Sequence, residues 1–594
     1  MIDIRKHLES RPLLFDGGMG TYYKAKPGQE CEQANLADPA GVLAVHREYL
    51  AAGADAIKTN TFSIPRMAAA GLSGWEALAD AGWQLAEQAA QEKGAAVFAD
   101  LGPAPDTETI PASEVYKTAA KRFLDLGAKN FLFETLSSDA GILDAVAFIK
   151  ENVPDAFVVV SFAVLPDGYT REGMFCKDLA RRMAESKRVD AVGLNCVSAP
   201  GAMRTLARQL VDAGLPLSVM PNAGYPVVAR TQVKYQGKPE YFARELGQLA
   251  AEGVKILGGC CGTTPAHIAA LRAELDALPE KKTSVQPKVS TPEKPTVEKD
   301  DAFLRKLNAG EKVIAIELDS PKDADLTNYL AGAKRLQAAG ADLLTIADCP
   351  IARARMDSSL VACRVHRELG LCALPHMTCR DRNLNATKAL LLGLYAEGVR
   401  EVLAITGDPI PTAERDEVKN VYQFNSRKLA KYIVSLAGEG REMPSPMTVF
   451  GALNLNARNF DVELRRAVEK VENGMSGFLT QPVLSEQAVE NLRHAREVLG
   501  SSAKILAGIM PVVSQRNAIF MENEVNGIHV EEDIIRRFEG LDREQGEALG
   551  LEISLRMAAE ALPYADGFYL MTPFNRVALM ERLIARLKTE VLEG

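Results

Sequence analysis

The sequence predicts an α/β protein made of two tandem (β/α)8 TIM barrels joined by a linker rich in Pro and Lys. Three observations lead to this fold class. The chain has 594 residues, and two barrels of about 250 residues each would nearly fill that length. Short apolar runs alternate with stretches of helical periodicity along both halves. Residues 279–301, rich in Pro, Lys, Thr and Glu, have too few large apolar side chains to fold, so we expect domains at 1–278 and 302–594.

Eight β-type runs follow one another in the first half, and each ends in small, polar or reactive residues. They are Leu13–Gly18, Ala56–Phe62, Ala96–Gly102, Phe131–Thr135, Val158–Ala163, Ala191–Cys196, Leu217–Ala223 and Ile256–Cys261. Stretches such as VLAVHREYLAAGA and YKTAAKRFLDLGA have the period of a helix, and several end in a glycine suited to a C-cap. Eight strands that alternate with helices predict a closed parallel barrel.

The second half repeats this scheme with eight further runs. They are Val313–Leu318, Leu343–Ala347, Cys372–Thr378, Glu401–Thr406, Thr448–Leu453, Gly477–Thr480, Ile505–Ile509 and Gly567–Leu570. Near-continuous apolar strands are typical of a sheet that is covered on both faces. Because active sites of such barrels lie at the carboxyl ends of the strands, we look for functional residues there.

Composition narrows the class of protein. Apolar residues make up 47% and charged residues 25% of the chain, which excludes wholesale disorder. A net charge of −9 argues against nucleic acid or an anionic membrane as the main partner. No apolar run is long enough for a transmembrane span, and the start MIDIRKHLESRP does not resemble a secretory signal. Nine cysteines, an odd number, then indicate reduced thiols in a cytoplasmic enzyme.

Three of these cysteines fall at two predicted strand ends. Cys196 lies in VGLNCVS, and Cys260 and Cys261 lie in LGGCCGT. Three thiolates on one ion are typical of a catalytic zinc site whose fourth position is open to water or substrate. The alternative is that they are small buried apolar residues, as free cysteines often are.

Several motifs in residues 10–278 together resemble the homocysteine S-methyltransferase family. They are LLFDGGMGTYY, IKTNTF, FLFETLSS, VGLNCVS, MPNAG and GGCCGTTP. The resemblance implies that Cys196, Cys260 and Cys261 bind zinc. It also implies that Asp16 and Glu134 face the amino group of homocysteine, with backbone around Gly17 and Gly18 lining the site. A turn-forming role for Asp16 and a structural ion pair for Glu134 are the alternatives, and Asn60 and Asn222 at strand ends could equally bond a loop.

The methyl donor stays open among S-methylmethionine, S-adenosylmethionine and methylfolate. Some family members pass the methyl group of methyltetrahydrofolate through cobalamin, which a D-x-H-x-x-G motif binds. None of the seven histidines has an aspartate two residues before it. The sequence therefore predicts no cobalamin module of that type.

The second half carries polar residues at its strand ends and has no G-x-G-x-x-G between strand and helix, so a Rossmann dinucleotide site is not predicted. Five motifs in residues 302–588, PHMTCRD, ITGD, KVENGMSGFLTQP, GIMPV and FNR, resemble methylenetetrahydrofolate reductase, a flavin-bearing barrel enzyme. The resemblance implies FAD as cofactor and NADH or NADPH as reductant.

The same resemblance implies a role for each of these residues. Glu317 would be the general acid at the folate, and Asp408 would stabilise a folate cation beside the flavin. The implied folate-binding residues are Glu317, Gln481 and Arg576, and the implied FAD-binding residues are His376, Asp408, Asn454 and Lys470. The alternatives are an ion pair of Glu317 with Lys or Arg, a satisfied core histidine for His376, and a solvated helix face for Lys470.

Together these observations predict a bifunctional one-carbon enzyme. The second barrel would reduce 5,10-methylenetetrahydrofolate to 5-methyltetrahydrofolate on FAD, and the first would methylate homocysteine to methionine on zinc. Two alternatives stay open: one barrel is a degenerate binding module, or the chain senses folate or homocysteine without turnover. The sequence leaves the oligomeric state open, a homo-oligomer included.

Overall fold

A computed structural model describes residues 2–23, 30–106, 110–229, 232–235, 237–278, 301–410, 419–438, 441–525 and 527–593. The chain divides into two compact units, Met1–Lys288 and Val289–Gly594. Except for Asp301, the predicted linker at 279–301 lies outside the described residues.

The first unit contains eight parallel strands and one antiparallel hairpin. The strands are β1 (Leu13–Leu14), β2 (Ala56–Lys58), β3 (Ala96–Leu101), β4 (Asn130–Leu136), β5 (Phe157–Phe162), β6 (Ala191–Asn195), β7 (Leu217–Met220), β8 (Pro226–Ala229), β9 (Gln232–Tyr235) and β10 (Ile256–Leu257). Eight of them form one sheet in the order β1-β10-β7-β6-β5-β4-β3-β2. A parallel bridge between Phe15 and Ala56 brings its two ends together, so the sheet nearly closes into a barrel. The sequence did not predict the hairpin of β8 and β9.

The second unit is a closed parallel barrel whose eight strands follow one another in chain order. They are β11 (Val313–Glu317), β12 (Leu343–Ile346), β13 (Cys372–Thr378), β14 (Glu401–Ile405), β15 (Thr448–Leu453), β16 (Met475–Pro482), β17 (Lys504–Ile509) and β18 (Gly567–Met571). The prediction of two tandem barrels is therefore confirmed.

Helices alternate with the strands in both units. They are α1 (Ile4–Ser10), α2 (Met19–Tyr23), α3 (Ala34–Ala37), α4 (Pro39–Ala51), α5 (Ile64–Ala69), α6 (Trp75–Lys93), α7 (Ala112–Asp125), α8 (Ile142–Asn152), α9 (Cys176–Glu185), α10 (Pro200–Arg208), α11 (Pro239–Ala251), α12 (Pro265–Asp276), α13 (Ala302–Asn308), α14 (Thr327–Ala339), α15 (Ser358–Leu369), α16 (Leu384–Glu397), α17 (Ser426–Ser435), α18 (Phe460–Glu472), α19 (Glu486–Leu499), α20 (Gln515–Glu524), α21 (Glu532–Arg537), α22 (Arg543–Ala561) and α23 (Val577–Leu587). Within the described ranges, none of these helices combines the length and hydropathy that crossing a membrane requires.

Each barrel has an apolar interior closed at its amino end by a short helix. In the first unit, Ile4 and Leu8 of α1 join the core formed by inward-facing strand residues. Arg5 holds α1 in place by donating to the carbonyl of Ala156, just before β5. In the second unit, Phe303 and Leu307 of α13 join the core in the same way. With the amino ends filled, the carboxyl ends of the strands are left for function.

Because each unit has its own core, we expect residues 1–278 and residues 302–594 to fold when expressed as separate chains. Each half should give the circular dichroism of an α/β protein and unfold cooperatively on heating. A half that stays insoluble or melts without a transition would contradict the predicted domain boundaries.

Candidate active sites

The three cysteines singled out by the sequence lie together at the mouth of the first barrel. Cys196 directly follows β6, and Cys260 and Cys261 follow β10, so both segments reach the same end of the barrel. The three Sγ atoms all lie within 4.8 Å of one another, and those of Cys196 and Cys261 are 3.8 Å apart. Cys196 adopts a left-handed backbone conformation with φ of 54°, which is uncommon for a residue other than glycine.

The cysteine cluster has the donors of a metal site. A hydrogen bond with Cys260 raises the pKa of the Cys196 thiol to about 12. A hydrogen bond with Cys196 raises the pKa of the Cys261 thiol to about 11. Three thiols packed together therefore resist ionisation until a cation compensates the charge, and three sulfur donors suit zinc. Pro221 and Ala223, on either side of Asn222, hydrogen-bond the backbone of Cys260 and Cys261. The buried Oδ1 of Asn222 has no hydrogen-bond partner. The residues present fit a zinc ion.

A cavity of about 490 Å³ opens beside this cluster. The cysteine cluster forms part of its wall, and Gly18, Lys58, Asp100 and Glu134 line it as well. Gly18 lets the chain pass close to the metal-site loop: a Cβ at this position would lie 2.6 Å from the carbonyl oxygen of Cys260. The volume suits a small amino acid together with part of a second substrate.

A buried lysine lies between the two carboxylates that the sequence assigned to substrate. Lys58 Nζ is 3.7 Å from Glu134 Oε2 and 3.9 Å from Asp16 Oδ1, and it donates to the carbonyl of Gly259. Burial by itself would lower the pKa of Lys58, but Glu134 and Asp16 outweigh it and hold the pKa above its ordinary value. Burial raises the pKa of Asp16 to about 7, although Lys58 opposes this shift. Glu134 is thus part of an ion pair, as the alternative interpretation predicted, and still lines the cavity.

Asp100 is a third buried carboxylate on the same wall. Its backbone is fixed on both sides, because its N–H donates to the hydroxyl of Thr59 and its carbonyl accepts from that of Thr61. Only 4% of the residue is exposed, and Oδ1 has no hydrogen-bond partner. Burial, reinforced by the charge of Glu134, raises the pKa of Asp100 well above its ordinary value.

Asn60 and the glycine pair complete the set predicted for the first barrel. Asn60 lines the cavity, but its amide donates to the carbonyl of Cys31 and the side chain of Asn35, so it ties loops together. Gly18 N–H donates to Thr263 Oγ1 beside the cysteines.

In the second barrel, Glu317 ends β11 with its side chain among barrel residues. The hydroxyl of Tyr569 on β18 donates to Glu317 Oε2, and His376 Nε2 lies 3.8 Å from the same oxygen. Burial raises the pKa of Glu317 to about 7. No Lys or Arg in the described part of the chain lies within 4 Å of this carboxylate, in contrast to the ion-pair alternative. Burial lowers the pKa of His376 to about 4, and its Nε2 has no hydrogen-bond partner, so this is not a satisfied core histidine.

Three other predicted residues lie at the same end of the second barrel. Asp408 follows β14, is exposed, and its carbonyl accepts from the buried Arg380. Asn454 directly follows β15, and Gln481 lies near the end of β16. Both side chains approach Gly527: a Cβ at that position would lie 3.2 Å from the amide nitrogen of Asn454 and 3.7 Å from that of Gln481. These positions leave all three side chains at the mouth.

Lys470 and Arg576 make contacts with neighbouring protein groups. Lys470 Nζ donates to the carbonyl of Ala452 and lies 3.8 Å from Glu463, so the side chain is largely buried and does not belong to a solvated helix face. Arg576 follows β18 and pairs with Glu547 of α22 at 3.0 Å. Their predicted contacts with FAD and folate stay predictions.

Comparison with known families assigns each half of the chain. The profile of the family described as homocysteine S-methyltransferase matches residues 13–275. The profile of the family described as methylenetetrahydrofolate reductase matches residues 302–588. Each half of the chain thus matches one of these two families along nearly its whole length. We refer to the two halves below as the methyltransferase domain and the reductase domain.

Individual relatives match about half of the chain. Methionine synthase from Mycobacterium tuberculosis is 31% identical over an alignment of 322 residues that covers 49% of this chain and 27% of that protein. Methionine synthase from Mycobacterium leprae is 31% identical over an alignment of 300 residues that covers 45% of this chain and 24% of that protein. The chain thus spans about a quarter of the length of the curated relatives it matches.

Solved structures also match somewhat less than half of the chain. The metallated form of the homocysteine methyltransferase MmuM from Escherichia coli is 24% identical with a TM-score of 0.38, and covers 46% of this chain and 99% of its own. The oxidized form of the same enzyme is 25% identical with a TM-score of 0.38 and the same coverage.

Sequence analysis missed Lys58 and Asp100 in the methyltransferase domain and Tyr569 in the reductase domain. Lys58 and Asp100 lie on the inward face of their strands, two residues beyond the core residues Ala56 and Phe98, and Tyr569 is itself a core residue of the second barrel. A charged or hydroxyl-bearing residue at an inward position near the carboxyl end of an apolar strand was the signal that could have identified them.

Proposed function

We propose that the chain is a cytoplasmic bifunctional one-carbon enzyme in which both barrels are catalytic. The reductase domain reduces 5,10-methylenetetrahydrofolate to 5-methyltetrahydrofolate with FAD and NADH or NADPH, and the methyltransferase domain methylates homocysteine on zinc. The observation that carries this proposal is the cluster of three thiols within 4.8 Å at the wall of a cavity that buried carboxylates also line. All nine cysteines are free thiols, as expected for a reducing compartment.

In the methyltransferase domain, Cys196, Cys260 and Cys261 would hold the zinc ion. A zinc ion bound there would lower the pKa of a substrate thiol and keep it nucleophilic at neutral pH. Two segments, one after β6 and one after β10, bring the three sulfur donors within 4.8 Å of one another.

The remaining polar groups of the cavity would bind the amino-acid end of homocysteine. Glu134 lines the cavity and, with the neighbouring Asp16, would face the α-ammonium group, while Lys58 lies within 4 Å of both carboxylates. The close approach of Gly18 to Cys260 brings this wall next to the metal-binding thiols. The amino group of homocysteine could therefore reach this wall while its thiol reaches the metal-binding cysteines.

The reductase domain has unpartnered polar atoms at its mouth that fit a polar cofactor ring. His376 Nε2 and Thr572 Oγ1 are buried without hydrogen-bond partners near the carboxyl ends of β13 and β18. We propose that His376, Asp408, Asn454 and Lys470 hold FAD, which supplies hydride once a nicotinamide has reduced it.

Glu317 is suited to deliver the proton that opening of the folate methylene bridge requires. Its pKa of about 7 means that the carboxyl group still carries a proton near neutral pH. The hydroxyl of Tyr569 orients the carboxyl group by donating to one oxygen, which leaves the other free for substrate. Gln481 and Arg576 are proposed folate contacts at the same mouth, and the negative charge of Asp408 would stabilise a cation formed on the folate.

Metal analysis and an anaerobic flavin assay on the purified full-length chain test this proposal. We expect stoichiometric zinc, a flavin absorption spectrum, bleaching of that spectrum by NADH or NADPH, and its return on addition of methylenetetrahydrofolate. Zinc without flavin would restrict activity to the methyltransferase domain. Bound flavin that methylenetetrahydrofolate does not reoxidise would contradict the reductase activity.

A further inference from the structure

A buried arginine connects three segments at the mouth of the reductase domain. Arg380 follows β13, and only 2% of the residue is exposed. Its guanidinium donates through Nη1 to the carbonyl of Asp408 at 3.1 Å and through Nη2 to the carbonyl of Cys349 at 3.4 Å. Cys349 follows β12 and Asp408 follows β14. One side chain therefore joins the segments that follow three neighbouring strands of the barrel.

The backbone that meets Arg380 is in uncommon conformations at several points. Cys349 and Tyr422 have φ of 48° and 37°, and Gly407, directly before Asp408, has φ of 92°. Residues other than glycine rarely adopt such angles, and they keep them where surrounding contacts hold the chain in place. The contacts here converge on one carbonyl, because the hydroxyl of Tyr422 also donates to the carbonyl of Asp408, at 3.4 Å.

The charge of Arg380 is compensated by a residue other than Asp408. In the described part of the chain, the ion pair of Arg380 is with the adjacent Asp381, to which Nε and Nη2 donate at 2.7 to 3.0 Å. A guanidinium has five N–H donors in one rigid plane, so it can pair with a carboxylate and still bond two carbonyls. Arg380 therefore holds Asp408 by its main chain, while Asp381 balances the guanidinium charge.

The exposed Asp408 is the residue proposed to stabilise a cation on the folate, and a charge is most effective in that role when it is in place before the reaction. We propose that Arg380 is a positioning residue for folate reduction that holds Asp408 where this cation forms, an inference that rests on the proposed reductase function. Lysine at this position would keep the charge but lacks the planar fork that reaches Asp408, Cys349 and Asp381 together. The reaction then depends on the shape of the guanidinium and not only on its charge.

The test compares the two half-reactions of the flavin in Arg380→Lys, by anaerobic stopped-flow absorbance of the FAD-loaded full-length chain. Reoxidation of the reduced flavin by methylenetetrahydrofolate should slow by about 10- to 100-fold, as expected when a catalytic group is slightly misplaced. Reduction of FAD by NADH or NADPH forms no cation on the folate, so its rate should be nearly unchanged.

A double-mutant cycle distinguishes positioning from a general structural effect. Once Asp408→Asn has removed the carboxylate charge, its placement no longer matters. Arg380→Lys should therefore slow the folate half-reaction of the wild type but have little further effect on Asp408→Asn. Multiplied slowing in the double variant would mean that Arg380 acts independently of Asp408, and unchanged folate turnover in Asp408→Asn would leave Arg380 nothing to position. Either result would overturn the inference.

Arg382 supplies the matched control, because it is a largely buried arginine of the same segment that pairs with Asp348 and Asp357. Arg382→Lys should leave the folate half-reaction nearly unchanged, and slowing equal to that in Arg380→Lys would indicate a general loss of rigidity and overturn the inference. FAD content and melting temperature are measured for every variant. If Arg380→Lys does not retain FAD, Arg380→Gln is measured in its place with the same expectation.

The possible failures are distinguishable. If methylenetetrahydrofolate does not reoxidise the wild-type flavin, the proposed reductase function fails and this inference fails with it. If the wild type is reoxidised and Arg380→Lys reacts at the same rate, the inference is overturned while the proposed function stands. Loss of FAD or of folding in both Arg380 variants would make Arg380 a structural residue and would also overturn the inference.

Discussion

Replacement of Cys260 by alanine is expected to abolish zinc binding and methionine formation together. Cys260 is the buried member of the cysteine cluster, and a site left with two thiolates has neither the charge nor the donor number of a catalytic zinc site. Zinc content measured by mass spectrometry should fall from stoichiometric to near zero. Methionine formation should fall below detection whatever the methyl donor, because the substrate thiol would no longer be ionised by a metal.

Cys196→Ala and Cys261→Ala should behave in the same way, since their Sγ atoms belong to the same cluster. Cys176 supplies the matched control, because it is a buried cysteine of the same domain in α9, outside the cluster. Cys176→Ala should retain zinc and activity, and none of the four variants should change flavin reduction in the reductase domain. Full methyltransferase activity in zinc-free Cys261→Ala would contradict the assigned role of the cluster.

The barrels were predictable because each strand is a short apolar run ended by polar or small residues. All sixteen predicted strands are present in the structure, with ends that shift by a few residues. The hairpin of β8 and β9 was not predicted, because it is an insertion after β7 whose two short strands pair only with each other. The role of α1 as a cover for the amino end was also missed, since two apolar residues in a short helix do not indicate which core they join.

The site was predictable where a motif marks it and less so where partners come from distant strands. Cys196 and Cys261 are 65 positions apart, and their pairing followed from the barrel topology that brings strand ends to one mouth. The ion pair of Lys58 with Glu134 could not be predicted from sequence. Such a pair depends on which side chains of different strands extend toward one another in the barrel interior. The same holds for Arg576, whose partner Glu547 lies on a helix outside the strands.

Replacement of Glu317 by glutamine is expected to separate the two half-reactions of the reductase domain. Glutamine keeps the shape and can still accept the hydrogen bond from Tyr569, but it has no proton to transfer. Reduction of FAD by a nicotinamide needs no proton on the folate and should be nearly unchanged. Oxidation of the reduced flavin by methylenetetrahydrofolate needs that proton and should slow by about 10²–10⁴-fold, the typical contribution of a general acid.

Stopped-flow absorbance of the flavin measures both half-reactions, and their pH dependence gives a second test. Since burial raises the pKa of Glu317 to about 7, the acid is protonated below that pH, and the wild-type folate half-reaction should slow as the pH rises through it. Glu317→Gln should lose this pH dependence. Glu401 provides the control, because it is a buried carboxyl group at the start of β14, the amino end of the same barrel, and burial raises its pKa well above the ordinary value. Glu401→Gln should therefore change neither half-reaction. Equal slowing of both half-reactions in Glu317→Gln would mean that Glu317 holds the flavin or the fold. Normal folate turnover in Glu317→Gln would remove Glu317 from the mechanism.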